Sequence, residues 1–436
     1  MTVDRRTFIA ATGATAAAAL ARPALAAPRG AFPPGFIWGA ATAGHQIEGN
    51  NVNSDVWYLE NVKPTVFSEP SADADNSLEL WPLDLDLVKS LGLGAYRFSL
   101  EWARIEPEPG LFSIAMLDHY KAIIDGCRAR GIRPMVTFNH YTTPIWFAKT
   151  GGWVNPEAPK LFARFCDRAA RHLGANISHA MTLNEPNIMV ILRYVLPPQF
   201  VGAQRAMLAA AAQKANCAKF TAGNAVNPED IDTVTTNLIT GHRAARAAIK
   251  AVRSDLPVGF TLSMFDDEAV GPPAKRDAAR AELYGAWLDV ARDDDFMGVQ
   301  NYERVLWGPA GRLPPPRGAT LNAMGGEVYA PSLANAVRYA HSRTGKPIIV
   351  TEHGVSTDDD RIRARLIPDA LAALHQAMDD GVPVQGYVHW SLIDNFEWVS
   401  GYKQHLGLVA VDRTTFKRTP KPSAAVYSGI ARRNAL

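Results

Sequence analysis

The predicted fold of this chain depends on the stretch Thr182-Leu183-Asn184-Glu185-Pro186-Asn187. It has the pattern of a buried strand that ends in a polar turn, and it places Glu185 at that end. A second stretch, Ile349-Val350-Thr351-Glu352-His353-Gly354, has the same form much later in the chain. Two carboxylic acids at the ends of separate strands can face each other across a pocket if both strands belong to one barrel.

Strand-like and helix-like segments alternate on both sides of these two stretches. The predicted strands are residues 36–42, 95–100, 134–139, 180–184, 258–264, 296–301, 348–352 and 384–390. Helical spacing of apolar residues lies between them, for example in residues 83–91, 116–130, 161–173, 244–252 and 367–378. About eight such units predict an α/β fold, a single-domain (β/α)₈ TIM barrel with its active site at the C-terminal ends of the strands. The alternative fold is a doubly wound open sheet. It would be expected to have a Gly-rich phosphate-binding turn after an early strand, and the sequence has no such turn.

Composition and charge limit the classes of partner. The 436 residues are 47% hydrophobic and 20% charged, which is ordinary for a soluble protein with a large core. A net charge of +2 gives no reason to expect nucleic acid or an anionic membrane as a partner. Cys127, Cys166 and Cys217 show no metal-ligand spacing, and buried free thiols are favoured over the alternative of one disulfide.

The first 27 residues have the order of parts of an export signal. Asp4-Arg5-Arg6-Thr7-Phe8-Ile9 resembles a twin-arginine signal, and an Ala-rich apolar run follows in residues 10–21. Ala24-Leu25-Ala26 then has the small-x-small form of a cleavage site. We expect a signal peptide at 1–27, a catalytic domain at 28–436, and a periplasmic or extracellular protein without a membrane anchor. The alternative is a disordered tail with a chance arginine pair.

Six segments in order resemble a known family. They are residues 32–49, 97–105, 182–186, 324–329, 350–354 and 390–398, the last reading Trp390-Ser391-Leu392-Ile393-Asp394-Asn395-Phe396-Glu397-Trp398. From about Phe32 to the C-terminus the chain resembles glycoside hydrolase family 1, the β-glucosidase family. The resemblance implies a (β/α)₈ barrel, no metal, no cofactor, and hydrolysis of β-linked sugars with net retention.

The resemblance assigns roles to the two glutamates. It implies that Glu352 is the nucleophile and Glu185 the acid and later the base, with Arg97 and Tyr302 beside the nucleophile. A retaining enzyme needs the two carboxyl groups about 5–5.5 Å apart. We expect Arg97 and Tyr302 to keep Glu352 ionised, and burial and the nearby Glu352 charge to raise the pKa of Glu185.

Six further residues match the family's sugar-binding positions. Hydrogen bonds to the non-reducing sugar are implied for Gln46, His140, Asn184, Glu397 and Trp398, and a stacking platform for Trp390. The alternatives are a satisfied core imidazole for His140 and core packing for the two tryptophans. Asn301 and Trp153 are candidates for a supporting role behind these residues.

Two residues depart from the family pattern next to the glutamates. His353 stands where the family usually has Asn, and Asn187 stands where an aromatic residue often follows. The intact Glu185 argues against a thioglucosidase, and the acidic Glu397 favours a neutral sugar over a 6-phosphorylated one.

The expected function is a retaining β-glucosidase that removes terminal β-D-glucosyl residues from oligosaccharides or aryl and alkyl glycosides. Three alternatives stay open at this point. They are a transglycosidase on the same scaffold, a sugar-binding protein that has lost catalysis, and a metal hydrolase. The last would need a ligand set at the strand ends, where only His140 and Asp295 are near.

Overall fold

Eight parallel strands close into a barrel in the computed structural model, which describes residues 30–436. The predicted signal peptide, residues 1–27, lies outside the described residues. The barrel strands are β1 (Ile37–Ala41), β2 (Ala95–Ser99), β3 (Arg133–Asn139), β4 (His179–Asn184), β5 (Val258–Ser263), β6 (Met297–Asn301), β7 (Ile348–His353) and β8 (Val384–Trp390). Neighbours in the chain are neighbours in the barrel, and β8 pairs with β1 to close it. The predicted fold class is confirmed, and each predicted strand is present with no end displaced by more than one residue.

Helices follow the strands and cover the outside of the barrel. The main α-helices are Ser77–Ser90, Ile114–Ala129, Ala158–Leu173, Pro198–Lys214, Ile231–Val252, Ser332–Thr344, Asp360–Asp379 and Pro422–Arg433. Shorter α-helices are Gly44–Ile47, Asp55–Glu60, Trp102–Ile105, Ile145–Lys149, Ile188–Val195, Ala274–Arg280 and Ala286–Val290. The helix Ile231–Val252 begins well before predicted residue 244, because Ile231, Val234 and Leu238 extend its buried face by more than three turns.

The barrel interior changes character along its length. Its lower part is filled by apolar side chains that include Met135, Met181 and Ile349. Residues two apart on a strand point the same way, so Arg97 lies on the same face of β2 as Ala95 but one layer higher. Arg97 is fully buried, which marks the layer where the interior becomes polar. The candidate site therefore begins where the apolar filling ends.

Residues near the two ends of the described chain are tied together at the opposite end of the barrel. The amide of Phe32 donates to the carbonyl of Asn434 at 2.9 Å, and the Asn434 side-chain amide donates to the carbonyl of Phe32 at 2.7 Å. The amide of Leu436 donates to the carbonyl of Gly30 at 3.2 Å. Since β1 starts just after Phe32, these contacts lie at the amino ends of the strands.

Two small sheets lie outside the barrel. In one, Arg304–Gly308 is the central strand and pairs with Asp266–Ala269 on one side and Gly311–Arg312 on the other. The other pairs Val409–Val411 with Arg418–Pro420. The first is built from the segments that follow β5 and β6, so it stands over the carboxyl ends of those strands.

The three cysteines are free thiols: Cys127 and Cys166 are buried, as predicted, and Cys217 is half-buried. None of the helices in residues 30–436 has both the length and the apolar character that crossing a membrane requires.

Candidate active site

The two glutamates singled out in the sequence both lie at the carboxyl ends of barrel strands. Glu185 follows β4 directly and Glu352 is the fifth residue of β7. The pairing register with a neighbouring strand shifts just before each of them. The shift lies between Met181 and Asn184 where β4 pairs with β5, and between Val350 and Glu352 where β7 pairs with β6. Such irregularities re-aim the side chains that follow. Both side chains are buried, with residue exposures of 8% and 3%, in the polar layer of the barrel.

Glu352 has one cationic and one neutral hydrogen-bond donor. Arg97 Nη1 donates to Glu352 Oε1 at 2.5 Å, and the Tyr302 hydroxyl donates to Oε2 at 2.5 Å. The pKa of Glu352 is raised, because burial outweighs the charge of Arg97 and the hydrogen bond from Tyr302, which both lower it. A carboxylate with a buried guanidinium as partner is better stabilised in its charged form than in its neutral form. The partners of Glu352 therefore favour the ionised acid.

Glu185 has a different environment. Its Oε2 accepts a hydrogen bond from the Tyr141 hydroxyl. Burial and the negative charge of Glu352 raise the pKa of Glu185 to about 7, and the hydrogen bonds from Tyr141 and Ser263 and the more distant Arg97 lower it only in part. A carboxyl group with this pKa can carry a proton near neutral pH.

Asn184 joins the surroundings of the two glutamates. Its Oδ1 accepts hydrogen bonds from Arg97 Nη2 at 2.5 Å, from Gln300 Nε2 at 2.9 Å and from Thr261 Oγ1 at 3.1 Å. Three donors on one oxygen fix the orientation of the amide, so its NH₂ group points the other way. There it lies 3.3 Å from His140 Nε2.

Two predicted sugar-binding residues have polar atoms without a protein partner. Gln46 Nε2 donates to the carbonyl of Phe396 at 2.8 Å and to Glu397 Oε2 at 3.2 Å, but Gln46 Oε1 is buried and unpaired among the described residues. His140 Nδ1 is likewise buried and unpaired within residues 30–436. Burying a polar atom without a partner costs free energy, so such atoms are suited to meet the hydroxyl groups of a bound molecule.

Glu397 is the third carboxyl group in the site. Burial and the charges of Glu352 and Glu185 raise the pKa of Glu397 to about 8. Three carboxyl groups that influence one another in this way share one small volume. Through the contacts given above and the ring stacking of Trp390 and Trp398 on His140, the structure brings together all ten residues predicted for catalysis and binding. They are Gln46, Arg97, His140, Asn184, Glu185, Tyr302, Glu352, Trp390, Glu397 and Trp398.

Four nearly parallel rings form a column along one side of the site. His140 lies between Trp390 and Trp398, with ring centroids 5.6 and 6.1 Å away and interplanar angles of 14° and 11°. His45 continues the column beyond Trp398, at 5.8 Å and 5°. The far end is anchored because His45 Nε2 lies 2.9 Å from Glu60 Oε1 in a fully buried pair. Trp390 ends the column, and among the described ring pairs its only partner is His140, so its other face is free to stack on the apolar face of a sugar ring.

The two departures from the family pattern have structural partners. His353 Nδ1 lies 2.8 Å from the Tyr387 hydroxyl, and burial lowers the pKa of His353 to about 3, so the ring is neutral. Asn187 Nδ2 donates to the carbonyl of Ser263 at 2.8 Å and so ties the turn after β4 to the end of β5. Both residues support the strand ends.

The two residues expected behind the site also make structural contacts. Asn301 Nδ2 donates to the carbonyl of Met264 at 2.9 Å, and its Oδ1 accepts from Ser332 Oγ at 2.8 Å. Trp153 is 2% exposed and packs edge-on against Phe162, with ring centroids 5.4 Å apart. For Trp153, core packing is the role that its contacts support.

Sequence reasoning missed several residues that contact this group, among them Gln300, Ser263 and Tyr141. Gln300 and Ser263 occupy strand ends, so the rule that strand ends carry polar site residues could have found them. Tyr141 had only its position next to His140 as a signal, and nothing in the sequence predicts that its hydroxyl reaches Glu185.

Within residues 30–436, no group of three or more His, Cys, Asp or Glu side chains is placed to hold a metal ion. His140 and Asp295, the two residues considered for such a site, have other partners. His140 stacks in the ring column, and Asp295 Oδ2 lies 2.7 Å from Lys250 Nζ.

Comparisons with known proteins identify the family of the chain. The model of the family described as glycosyl hydrolase family 1 matches residues 28–258 and 318–436. A beta-glucosidase from Agrobacterium sp. (strain ATCC 21400) is 30% identical over 92% of this chain and 95% of its own. Two solved structures, beta-glycosidase BGL167 and the apo form of beta-glucosidase 1317, are 43% and 40% identical, each with a TM-score of 0.88. They cover 93% and 91% of this chain and 98% of their own. The chain belongs to glycosyl hydrolase family 1.

Proposed function

We propose that this protein is a retaining β-glucosidase that hydrolyses terminal β-D-glucosyl residues through a covalent glycosyl-enzyme. The observation that carries the proposal is the unequal environment of two neighbouring glutamates. Glu352 has a guanidinium and a phenol as donors, whereas Glu185 has a raised pKa of about 7 and no direct contact with Arg97 among the described hydrogen bonds. A retaining mechanism needs one ionised and one protonated carboxyl group.

In the first step, Glu352 attacks the anomeric carbon and forms an ester bond with it. The bond from that carbon to the aglycone oxygen breaks, and Glu185 gives its proton to this oxygen. Arg97 and Tyr302 orient the carboxylate before attack. Once the Glu352 charge is consumed in the ester, the main charge that raises the pKa of Glu185 is gone. Glu185 then holds its proton less strongly and can act as a base.

In the second step, Glu185 accepts a proton from a water molecule. The water oxygen bonds to the anomeric carbon, and Glu352 leaves as a carboxylate. The sugar is released with its original anomeric configuration because two inversions have taken place. The same side chain serves as acid and base, which is why its pKa needs to lie near neutral pH.

A neutral hexose fits the binding residues best. Gln46 Oε1 and His140 Nδ1 are available for hydroxyl groups, Asn184 presents its NH₂ group, and Trp390 supplies a ring face. Glu397 would repel a phosphate at the 6-position when it is ionised, and this supports an unphosphorylated sugar. The glucosidases among its relatives support glucose as the sugar.

The test is hydrolysis of a chromogenic aryl β-D-glucoside, with NMR detection of the first sugar product. We expect β-glucose to appear before mutarotation, and we expect Glu352→Gln to abolish turnover. Formation of α-glucose would contradict retention, and a fully active Glu352→Gln variant would contradict the assigned nucleophile. Adding an acceptor alcohol at increasing concentration measures how much sugar is transferred to it instead of to water.

We also propose that the protein is exported by the twin-arginine route. The support is the sequence alone: the Arg5–Arg6 pair, the apolar run of residues 10–21 and the site at Ala24-Leu25-Ala26. The full chain should reach the periplasm or medium with a new N-terminus near residue 28, and the double variant Arg5→Lys, Arg6→Lys should stay inside the cell. Equal export of both forms would contradict this route.

A further inference from the structure

We propose that Tyr141 is a positioning residue for the general acid/base. Its hydroxyl holds Glu185 Oε2 as a hydrogen-bond acceptor, so the proton that moves to the leaving group is carried by Oε1. This inference depends on the role of Glu185 proposed above. It adds which oxygen of that acid is active and which residue selects it.

The contact itself is the first observation. The Tyr141 hydroxyl donates to Glu185 Oε2 at the buried end of β4. An oxygen that accepts a hydrogen bond from a phenol is a poor place for the acidic proton, since that proton would face the donor hydrogen. A protonated Glu185 therefore carries its proton on Oε1. The phenol also stabilises the carboxylate left after proton transfer.

The backbone at Tyr141 is the second observation. Its φ angle is +71°, a left-handed conformation that is a genuine outlier for a bulky aromatic residue. The amide of Thr142 donates to the carbonyl of His140 at 2.9 Å, so the chain turns back within three residues. Glu185, at the other end of the contact, is also left-handed with φ of +39°. Conformations of this kind persist only where the surroundings impose them, and they cluster at functional sites.

Buried groups from distant parts of the chain impose the turn. Asp55 accepts hydrogen bonds from the Thr143 amide at 2.9 Å, the Thr143 hydroxyl at 2.7 Å and the Gly223 amide at 2.8 Å. Gly223 lies so close to the turn that a Cβ atom there would be 1.7 Å from the carbonyl oxygen of Tyr141. Asp55 and Gly223 thus hold both sides of the turn that delivers the phenol.

The ring of Tyr141 has little freedom. It meets Trp398 edge-on with ring centroids 5.2 Å apart and an interplanar angle of 74°. It meets His140 in the same way at 5.0 Å and 75°. The phenol is therefore wedged against the ring column on one side and the carboxyl of Glu185 on the other. A displacement of the ring column would therefore also displace the Tyr141 hydroxyl and change its hydrogen bond to Glu185.

Other groups also act on the titration of Glu185, and the test must separate them from Tyr141. The charged, titratable or hydrogen-bonding groups that act on it are Glu352, Arg97, Ser263, Tyr302 and Glu397. Tyr141→Phe leaves all of these in place and removes one oxygen atom. Tyr194→Phe is a matched control, because Tyr194 also donates its hydroxyl to a glutamate, Glu282, but on the surface.

The first measurement follows the Glu185 carboxyl directly by ¹³C NMR of glutamate-labelled protein, with the signal assigned by its loss in Glu185→Gln. We expect the apparent pKa of Glu185 to rise by about one unit in Tyr141→Phe, since removing a donor to a carboxylate favours its protonated form. Tyr194→Phe should leave it unchanged. Titration curves of wild type and Tyr141→Phe that superimpose would overturn the inference. This measurement needs no substrate, so it tests the effect of Tyr141 on Glu185 even if no glucoside is hydrolysed.

The second measurement uses kcat/KM on two β-glucosides, one with a reactive dinitrophenol and one with a simple alcohol as leaving group. The basic limb of the pH profile should move to higher pH in Tyr141→Phe, since Glu185 keeps its proton longer. The loss of kcat/KM should be at least tenfold greater for the alkyl glucoside, which needs the acid, than for the dinitrophenyl glucoside. The inference would be overturned if kcat/KM fell equally for both glucosides while the pH profile and the melting temperature stayed unchanged. Tyr141 would then have only a packing role. Absence of turnover by the wild type would instead count against the proposed function.

Discussion

The site has two sides, and each uses a glutamate side chain for the opposite purpose. On the β7 side, Glu352 has Arg97 and Tyr302 as donors, so its charge is opposed by a buried cation. On the β4 side, Glu185 has Tyr141 as a neutral donor and Glu352 as a charged neighbour. Both acids are buried and both sit behind a register shift in the barrel. Because burial raises the pKa of both acids, the difference between their environments comes from the partners that other strands bring.

Replacing the acid on the β7 side should have the largest effect. Glu352→Gln keeps the shape of the side chain and its contact with Arg97 but cannot form the ester with the sugar. We expect kcat on an aryl β-glucoside to fall by on the order of 10⁴-fold or more. Glu157→Gln, at an exposed helix start, is the control that should keep full activity. A kcat of Glu352→Gln within tenfold of the wild-type value would contradict the nucleophile role of Glu352, and with it the proposed difference between the two sides.

Replacing the acid on the β4 side should have an effect that depends on the leaving group. In Glu185→Gln we expect kcat/KM to fall by about 10²- to 10⁴-fold for an alkyl glucoside, because the aglycone oxygen then leaves without a proton. For a dinitrophenyl glucoside the loss in kcat/KM should be much smaller. Added azide should raise kcat by attacking the glycosyl-enzyme without base assistance. Equal losses for both substrates would contradict the acid role.

Removing the cation should make the two sides more alike. Arg97→Met takes away the charge beside Glu352 and a donor to Asn184, so kcat/KM should fall by about 10²-fold. The pKa of Glu352 should rise, since the ionised form loses its partner. The acidic limb of the pH profile of kcat/KM should therefore move to higher pH by about one unit or more. Arg97→Lys should keep the limb closer to wild type, and an unmoved limb in Arg97→Met would show that the cation does not set the ionisation.

The smallest effect is expected next to the nucleophile. His353→Asn restores the residue that the family usually has and removes the contact with the Tyr387 hydroxyl. Since the imidazole is buried and neutral, kcat/KM should change by less than about threefold. The free energy of unfolding should fall by about 1–2 kcal/mol in a denaturant titration, because a buried hydroxyl loses one partner. A large loss of activity at unchanged stability would place His353 in the chemistry.

The barrel could be predicted because its pattern is local. Each strand is a short apolar run bounded by turn residues, and each helix shows its own spacing, so eight units can be counted without tertiary information. The site residues Glu185, Asn184 and Glu352 could be predicted because a strand end is a defined place in a barrel. The exact ends of the strands differ from the predicted ones by at most one residue, since hydrogen bonding between strands decides where each one stops.

Tyr141 shows what could not be predicted. Its hydroxyl reaches Glu185 only because the turn at residue 141 is left-handed, and a tyrosine gives no local reason for that conformation. The reason lies in Asp55 and Gly223, far before and after it in the chain. The ring column is similar, since His45 precedes Trp398 by more than three hundred residues. Relations of this kind depend on packing between loops, which periodicity does not encode.

The hydrogen bonds that join residues 30–32 to residues 434–436 carry a practical consequence for engineering. The amide of Leu436 contacts the carbonyl of Gly30, so the chain could be circularly permuted by linking these two points. New termini could open at the exposed loop around Gly381, which also lies on the barrel face away from the glutamates. A tag, a second enzyme or a solid support attached on that face would leave the mouth of the barrel free for substrate.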